Sequence, residues 1–383
     1  MKADAVPAVD ADEVLVCARE LVRAASENPP GNEAAPAAVA KRWCEGAGLQ
    51  VETIEPEPGR ANVIATLDSG APGPTLVFNG HMDVVPIVDE SLWEHPPFEA
   101  VVEQGILHGR GSCDMKGAIA AAICAAKALR GTDFAGKFVI QCVADEEVFG
   151  PLGTITLRDR GFLRGDAAIV GEPTQLSVGV AQRGLFWTRI TTHGVAAHGS
   201  IPHKGVSAIE SMARLVTQLR TKAFVRTHPL LGPPTINVGS IRGGGKINIV
   251  PAICAIEVDE RVLPGDDYDD LVAEMEAEVQ ALEIDATIEV TNYAAGYELP
   301  ADLSIVRLAL DAHEAVRRQP TSVTGMMGAT DAAILNKEGV PSIVFGPGSL
   351  ALAHTTRENV EVAELADAAR MYAWIASRFL ATT

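Results

Sequence analysis

Five short segments of the chain carry histidine or carboxylate side chains, and four of them also contain glycine. They are Gly80-His81-Met82-Asp83, Gly109-Arg110-Gly111-Ser112-Cys113-Asp114-Met115-Lys116-Gly117, Asp145-Glu146-Glu147, Gly171-Glu172-Pro173-Thr174, and Gly346-Pro347-Gly348-Ser349 with the later His354 and Glu358. Crowded carboxylates repel one another, and each loses hydration when it is buried. A divalent cation resolves that conflict. Mixed imidazole and carboxylate ligands suit zinc, with cobalt or manganese as alternatives.

Four of these segments directly follow apolar stretches that we predict to be β-strands. The strands are Thr75–Phe78, Lys137–Ala144, Ala167–Val170 and Ser342–Phe345. In open α/β sheets, ligands bind at the carboxyl ends of the strands. We therefore expect the two histidines and the carboxylates to converge in one crevice.

The pattern of helices and strands changes twice along the chain. Helices at Val14–Ala25, Ala35–Gly46 and Lys116–Arg130 alternate with strands, which predicts a mixed α/β sheet covered by helices. After about Ser177 the pattern becomes that of a small α+β module, and the earlier style resumes near Tyr293. We predict an α/β catalytic domain of residues 1–178 and 293–383, interrupted by an inserted α+β domain of residues 179–292.

The predicted elements of the inserted module have alternating or amphipathic polarity. Its strands are Leu185–Thr192, Thr235–Ile241, Ala252–Leu263 and Ile284–Thr291, and its helices are Val206–Leu219 and Tyr268–Leu282. Beyond the module we expect a helix at Leu303–Arg317 and a last helix at Val362–Leu380.

The charge of the chain restricts its partners. The chain has 383 residues, with 31 basic and 50 acidic side chains and a net charge of −19. That balance argues against nucleic acid or an anionic membrane as a partner. The six cysteines form no Cys-x-x-Cys pair, which argues against a thiolate zinc site and favours reduced, buried thiols.

The sequence also gives an expected location. Residues Met1–Asp12 lack a signal-peptide pattern, and the small apolar stretch Gly117–Leu129 is too short to span a bilayer. We expect a cytoplasmic protein.

Taken singly, each chemical segment has a structural explanation. His81 could be a hydrogen-bonded histidine at a strand end, and Asp114 could be a helix cap. Glu172 before Pro173 could lie in a turn, and residues 145–147 could be a solvated charge run. Their joint occurrence, each next to a predicted element, favours a shared site.

These motifs and separations resemble those of the acetylornithine deacetylase / succinyl-diaminopimelate desuccinylase family. That family of two-zinc peptidases and deacylases includes glutamate carboxypeptidases and aminoacylases, and the resemblance covers nearly the whole chain. It implies that His81 and Glu172 hold one metal ion, and that Glu147 and His354 hold the other. It further implies that Asp114 bridges both ions, that Glu146 is the general base, and that Asp83 orients His81.

The implied chemistry is amide hydrolysis. Two metal ions would lower the pKa of a shared water molecule to about 7, and Glu146 would take its proton and pass it to the leaving amine. Glu146 and Glu147 are adjacent, so their separate roles require a turn at this point.

The resemblance gives the inserted module two roles, dimerisation and a contribution to the partner's site. His198, in Gly194-Val195-Ala196-Ala197-His198-Gly199-Ser200, matches a histidine that stabilises the oxyanion in the partner subunit, with His203 as a weaker candidate. Asn248 and Arg261 match residues that contact the substrate, the arginine through a carboxylate. Each also has a structural alternative: a loop histidine, a structural glycine-rich turn and a surface ion pair.

Local differences within the family favour an enzyme like acetylornithine deacetylase. Leu185 follows Arg183-Gly184 where desuccinylases have serine, and Leu350 stands where they have asparagine. Apolar side chains there would not hydrogen-bond a second carboxylate, so we expect a small or apolar acyl group.

Other functions are also considered. Within the same family, a desuccinylase, a dipeptidase or a glutamate carboxypeptidase is the alternative. Outside it, a non-catalytic binding protein would be expected to lack some of the ligands, all of which are present. The Gly-x-Ser-x-Gly segment of a serine hydrolase and the phosphate-binding motifs are missing from the sequence.

Overall fold

The structure, a computed structural model, describes residues 6–381. It has two compact units. The first comprises Met1–Val180, Leu299–Thr324 and Thr330–Thr383, and the second comprises Ala181–Glu298 and Gly325–Ala329. The catalytic and dimerising roles predicted for residues 1–178 with 293–383, and for 179–292, stay predictions.

Helices and strands alternate through the part of the chain that the structure describes. The α-helices are α1 (Ala11–Arg23), α2 (Ala34–Gly46), α3 (Lys116–Leu129), α4 (Thr154–Asp159), α5 (Ala208–Arg220), α6 (Tyr268–Gln280), α7 (Ser304–Arg317), α8 (Ala332–Lys337) and α9 (Val362–Phe379). The strands are β1 (Gln50–Ile54), β2 (Asn62–Asp68), β3 (Thr75–His81), β4 (Val101–Glu103), β5 (Ile106–His108), β6 (Lys137–Val143), β7 (Ala167–Val170), β8 (Val178–Gln182), β9 (Gly184–His193), β10 (Ala197–His198), β11 (Thr235–Gly243), β12 (Ile249–Val250), β13 (Ile253–Val262), β14 (Ala286–Ala294), β15 (Tyr297–Glu298), β16 (Val323–Met326), β17 (Ser342–Val344) and β18 (Asn359–Glu361). Among residues 6–381, no helix is long and apolar enough to cross a membrane.

The sheet of the first unit has a parallel centre. Its strand order is β1-β2-β6-β3-β7-β17-β8. Strand β3 is parallel to both β6 and β7, and β17 is parallel to β7, whereas β1, β2 and β6 pair antiparallel. This mixed sheet confirms the predicted α/β fold class.

The four central strands bring the chemical segments to one edge of the sheet. Strand β3 ends at His81, Asp145 comes two residues after β6, Glu172 two residues after β7, and Gly346 two residues after β17. Because these strands are parallel, their carboxyl ends lie at the same edge. The predicted convergence of the segments at this edge is confirmed.

Helix α3 is buried along most of its length. It packs against α1 and α9 as well as β3 and β6. Eight of its residues are alanine or glycine, which lets neighbouring elements approach closely. The Nζ atom of Lys116, at its first turn, donates a hydrogen bond to the Ala24 carbonyl oxygen at 2.7 Å. The packing of α3 therefore holds the chain in place directly after Asp114.

Three short strands form a separate small sheet in the first unit. Strand β5 pairs antiparallel with β4 on one side and with β18 on the other. These strands were not predicted from the sequence. The paired strands β5 and β18 lie about 250 residues apart along the chain. The sheet brings Glu358, just before β18, to the loop that follows β5.

The second unit is built on a four-stranded antiparallel sheet in the order β11-β13-β9-β14. Burial alternates along β13, as expected for a sheet with one covered face. Side chains of α5 and α6, including Met212, Leu215 and Met275, pack with Phe186 and Ile256 in its core. The small α+β module that the sequence predicts is present.

Gly117 provides a test of how tightly the start of α3 is packed. A Cβ atom there would lie 2.4 Å from the Ser112 carbonyl oxygen and 2.7 Å from Leu365 Cδ2. We expect Gly117→Ala to lower the free energy of unfolding by about 1–3 kcal/mol, although alanine favours helix by about 1 kcal/mol. Urea denaturation followed by circular dichroism measures it.

Gly46→Ala is the matched control, because a Cβ atom at that helical glycine has no heavy atom within 4 Å. It should be neutral or slightly stabilising. Equal stability of the two variants would contradict the packing argument.

Candidate metal centre

The first unit brings seven of the predicted site residues together. They are His81, Asp83, Asp114, Glu146, Glu147, Glu172 and His354. Six of them lie at the carboxyl ends of β3, β6 and β7 or in the loop before α3. The exception is His354.

Asp114 lies between the two histidines. Its Oδ1 atom is 3.1 Å from His81 Nε2, and its Oδ2 atom is 3.4 Å from His354 Nε2. One carboxylate oxygen thus faces each imidazole. A carboxylate that bridges two metal ions requires this orientation.

The other carboxylates divide between the two histidines. Glu172 Oε1 is 3.6 Å and Glu146 Oε2 is 4.0 Å from His81 Nε2. Glu147 Oε2 is 3.0 Å from His354 Nε2. The His354 side chain is 56% exposed, whereas His81 is buried, so the site is open on the His354 side.

Two sets of possible ligand atoms each lie within 4.8 Å of one another. One set is His81, Glu146 and Glu172, and the other is His81, Asp114 and Glu147. The first set differs from the resemblance, which makes Glu146 a base and not a ligand. Distances alone leave both roles open to Glu146, and a metal-content measurement separates them.

The charges of the site attract a cation. Burial lowers the pKa of His81, but the carboxylates of Asp114 and Asp83 outweigh it and raise this pKa well above its ordinary value. Burial raises the pKa values of Glu146 and Glu172 well above their ordinary range, and neighbouring carboxylates add to both shifts. A divalent ion would supply the positive charge that this negative potential favours.

The donor chemistry of His81 also fits a metal ion. Its Nδ1 atom lies 2.9 Å from the carbonyl oxygen of Asp83, so we assign the proton to Nδ1. A metal ion that displaced the Nε2 proton would find the Nε2 lone pair facing Asp114 and Glu172. Imidazole nitrogen with carboxylate oxygen is a ligand set that zinc accepts.

Asp83 contacts the His81 ring more closely through its backbone than through its carboxylate. Its carboxylate is 3.6 Å from His81 Nδ1, farther than its own carbonyl oxygen, so the carbonyl is the nearer partner that orients the ring. The carboxylate instead accepts hydrogen bonds from the backbone N–H groups of Glu146, at 3.2 Å, and Glu147, at 3.1 Å. Asp83 therefore also holds the Glu146–Glu147 segment.

The chain turns sharply at Glu146 and Glu147. Asp145 adopts φ +67°, and the N–H groups of Phe149 and Gly150 donate to the carbonyl oxygens of Glu146 and Asp145 at 2.7 and 2.9 Å. The turn that separate roles for Glu146 and Glu147 require is present.

A buried network behind this turn was not predicted. Asn28 Nδ2 donates to Asp83 at 2.9 Å and to Asp145 at 3.1 Å. Arg60 donates to Asp145 at 2.6 Å and to Glu33 at 2.7 Å. Asn28 precedes Pro29-Pro30-Gly31, a turn sequence, but only the tertiary fold shows that its amide meets two carboxylates.

Asp331 is a buried acid that was not predicted from the sequence. Its Oδ2 atom accepts a hydrogen bond from Thr154 Oγ1 at 2.6 Å, and Asn79 Nδ2 donates to the same hydroxyl at 3.0 Å. Burial raises the pKa of Asp331 to about 6. The sequence gives no signal for it, because Thr154 and Asp331 are 177 residues apart.

The remaining predicted residues lie in the second unit. His198 ends β10, is exposed, and accepts a hydrogen bond from the Ser200 N–H group at 3.1 Å. Asn248 is exposed, and its carbonyl oxygen accepts from the Gly199 N–H group at 2.8 Å. Arg261 Nε lies 2.9 Å from Asp259 Oδ1. This contact is the ion pair that was the structural alternative to a role of Arg261 in substrate binding.

Known proteins are similar to this chain in sequence and in fold. The sequence profile of Peptidase family M20/M25/M40 matches residues 77–378. The acetylornithine deacetylase of Proteus mirabilis (strain HI4320) is 34% identical over an alignment of 338 residues, and the alignment covers 84% of this chain and 84% of the relative. An N-formyl-4-amino-5-aminomethyl-2-methylpyrimidine deformylase of Halalkalibacterium halodurans is 28% identical, covering 92% of this chain and 91% of the relative.

A crystal structure of a dinuclear metal-binding peptidase of Bacillus subtilis matches with a TM-score of 0.74 at 17% identity. The match covers 97% of this chain and 99% of that one, and it shows the shared fold. The profile match and the 34% identity to the deacetylase identify the relationship by sequence. The chain belongs to Peptidase family M20/M25/M40 and is a metal-dependent amidohydrolase.

Proposed function

We propose that the protein uses two zinc ions to hydrolyse the amide bond of an N-acylated amino acid or a similar small compound, as acetylornithine deacetylase does. The observation that carries this proposal is the placement of Asp114, with one carboxylate oxygen toward each of two histidines. The 34% identity to a deacetylase supports the acyl-amide substrate class.

The chain offers enough ligands for two ions. His81 and Glu172 would hold one, Glu147 and His354 would hold the other, and Asp114 would contact both. The bound ions would polarise the amide carbonyl and make water a better nucleophile at neutral pH. Zinc suits this nitrogen and oxygen donor set, as do cobalt and manganese.

Glu146 would move the proton. Its side chain is 9% exposed and comes within 4.0 Å of His81, inside the carboxylate cluster. Burial raises the pKa of its carboxyl well above the ordinary value, with the Glu172 carboxylate as the next contributor. A carboxylate with a raised pKa is a stronger base, so Glu146 can accept a proton from water and return it to the departing amine.

The acyl group is proposed to be small. The names of the two curated relatives specify an acetyl and a formyl substituent. Leu350, which is 41% exposed, stands four residues before His354 and offers no hydrogen bond to a second carboxylate. Leu185, the other apolar replacement, is fully buried. A succinyl group would therefore lose a polar contact at Leu350.

The second unit is proposed to dimerise and to supply His198 to the partner's site, with Arg261 and Asn248 contacting substrate. Exposed large apolar side chains are frequent in residues 195–253. They are Val195, Ile201, Val206, Ile209, Val225, Ile241, Ile247, Ile249 and Ile253. A protein surface with so many exposed aliphatic side chains in one stretch is typical of an interface. The predicted cytoplasmic location stays a prediction.

The substrate proposal is tested with a panel of N-acetylornithine, other N-acetyl amino acids, N-succinyl-diaminopimelate and dipeptides. We expect kcat/KM for an N-acetyl substrate to exceed that for the succinyl compound at least about tenfold, because Leu350 cannot pair with the second carboxylate. Activity should stop on chelation and return with zinc. Dipeptides as the best substrates, or activity that survives complete metal removal, would contradict the proposal.

Replacing the proposed base separates catalysis from metal binding. Glu146→Gln should lower kcat about 10²- to 10⁴-fold, because the amide cannot accept the proton. Both ions should remain bound, as measured by elemental analysis after gel filtration. The neighbouring Glu147→Gln is the matched control and should lose about one ion per chain, because Glu147 is a proposed ligand. Loss of metal from Glu146→Gln would make Glu146 a ligand instead.

The dimer is tested by placing charge among the exposed isoleucines. The double variant Ile241→Lys with Ile249→Lys should sediment as a monomer and lose most of its activity, since His198 of the other subunit would be absent. Val16→Lys is the control, because Val16 is 46% exposed and lies on α1 of the first unit, outside residues 195–253. A fully active wild-type monomer at assay concentration would refute the dimer.

A further inference from the structure

Glu358 is a buried acid to which neither the motifs nor the proposed function gives a role. It lies four residues after His354 and directly before β18, and it is 1% exposed. Its carbonyl oxygen accepts a hydrogen bond from the Gly109 N–H group at 3.1 Å. The small sheet thus places this acid against the loop that carries Asp114.

Both oxygens of the Glu358 carboxylate are bound by that loop. The Oε1 atom accepts hydrogen bonds from the backbone N–H groups of Gly111 at 2.8 Å, Cys113 at 3.3 Å and Asp114 at 3.1 Å. The Oε2 atom accepts from Arg110 Nη1 at 2.5 Å. Converging backbone N–H groups are a favourable anion site, and here the anion is a side chain of the same chain.

The loop is compact on its other side as well. Gly111 adopts φ +84°, and a Cβ atom there would meet Val84 Cγ1 at 2.9 Å. The Arg110 guanidinium lies 4.9 Å from the centre of the Trp93 ring. The loop therefore has little room to adjust if its bonds to Glu358 are lost.

Asp114 connects this loop to the proposed metal centre. The N–H group of Asp114 binds Glu358, while its side chain faces His81 at 3.1 Å and His354 at 3.4 Å. A shift of the Asp114 backbone would move both carboxylate oxygens together. Both metal positions depend on Asp114, so both would change.

We propose that Glu358 is a positioning residue that fixes the loop of residues 109–115, so that the Asp114 carboxylate is held between the two metal positions. This inference rests on the proposed two-metal function. Glu358 itself is not a ligand in this assignment, because its two oxygens already face the loop donors.

The test is zinc titration of the full-length protein after chelation, by isothermal titration calorimetry. Glu358→Gln keeps the size of the side chain, but its amide group cannot accept from Arg110 and from the backbone N–H groups at the same time. We expect the apparent Kd for zinc to rise about 10- to 100-fold, while circular dichroism of the metal-free variant stays like that of wild type. Glu361→Gln is the matched control, because Glu361 is exposed and lies on β18, the strand that Glu358 directly precedes; it should bind zinc like wild type.

A second variant provides the test if Glu358→Gln does not fold. Arg110→Lys keeps the positive charge but loses the second arm of the guanidinium, so a smaller rise in Kd is expected. Wild-type zinc affinity in a folded Glu358→Gln, or in Arg110→Lys if the first variant does not fold, overturns the inference. Wild-type protein that binds fewer than two zinc ions overturns the proposed function and with it this inference, whereas wild type with two ions and an unchanged variant overturns the inference alone.

Discussion

The crowding of buried carboxylates at one edge of a parallel sheet is the constraint on which the rest of the structure depends. Asp83, Asp114, Glu146 and Glu172 are each less than a tenth exposed, and they face two imidazoles. Such a cluster is stable only when cations or hydrogen-bond donors balance each charge. The surrounding fold supplies such donors to Asp83, and metal ions would balance the charge between the histidines in the proposed function.

Each acid has a distinct set of partners, and these partners separate its role from that of its neighbours. Asp83 accepts from the backbone of Glu146 and Glu147, whereas Asp145 is bound by Asn28 and Arg60. The result is a turn that presents two adjacent glutamates to different neighbours. The same hydrogen bonds therefore balance the charges of these carboxylates and hold the turn in place.

The sequence predicted the parts of this arrangement that have local signals. Apolar runs predicted the central strands, and His81 and Glu172 could be placed because they follow those runs. Asn28, Arg60 and Asp331 were missed, since their partners are distant in sequence and a single polar residue has no periodicity. The short strands β4, β5 and β18 were missed for the same reason, because pairing over such a separation leaves no local pattern. For Asp83, the motif indicated its proximity to His81 but not which of its oxygens would meet the ring.

The central claim is that two metal ions share Asp114. Crystals grown with zinc, with anomalous diffraction measured at the zinc edge, test it most directly. We expect two peaks about 3.5–4 Å apart, one beside His81 and Glu172, the other beside Glu147 and His354, with Asp114 contacting both. A single peak, or a peak coordinated by Glu146 in place of Asp114, would contradict it.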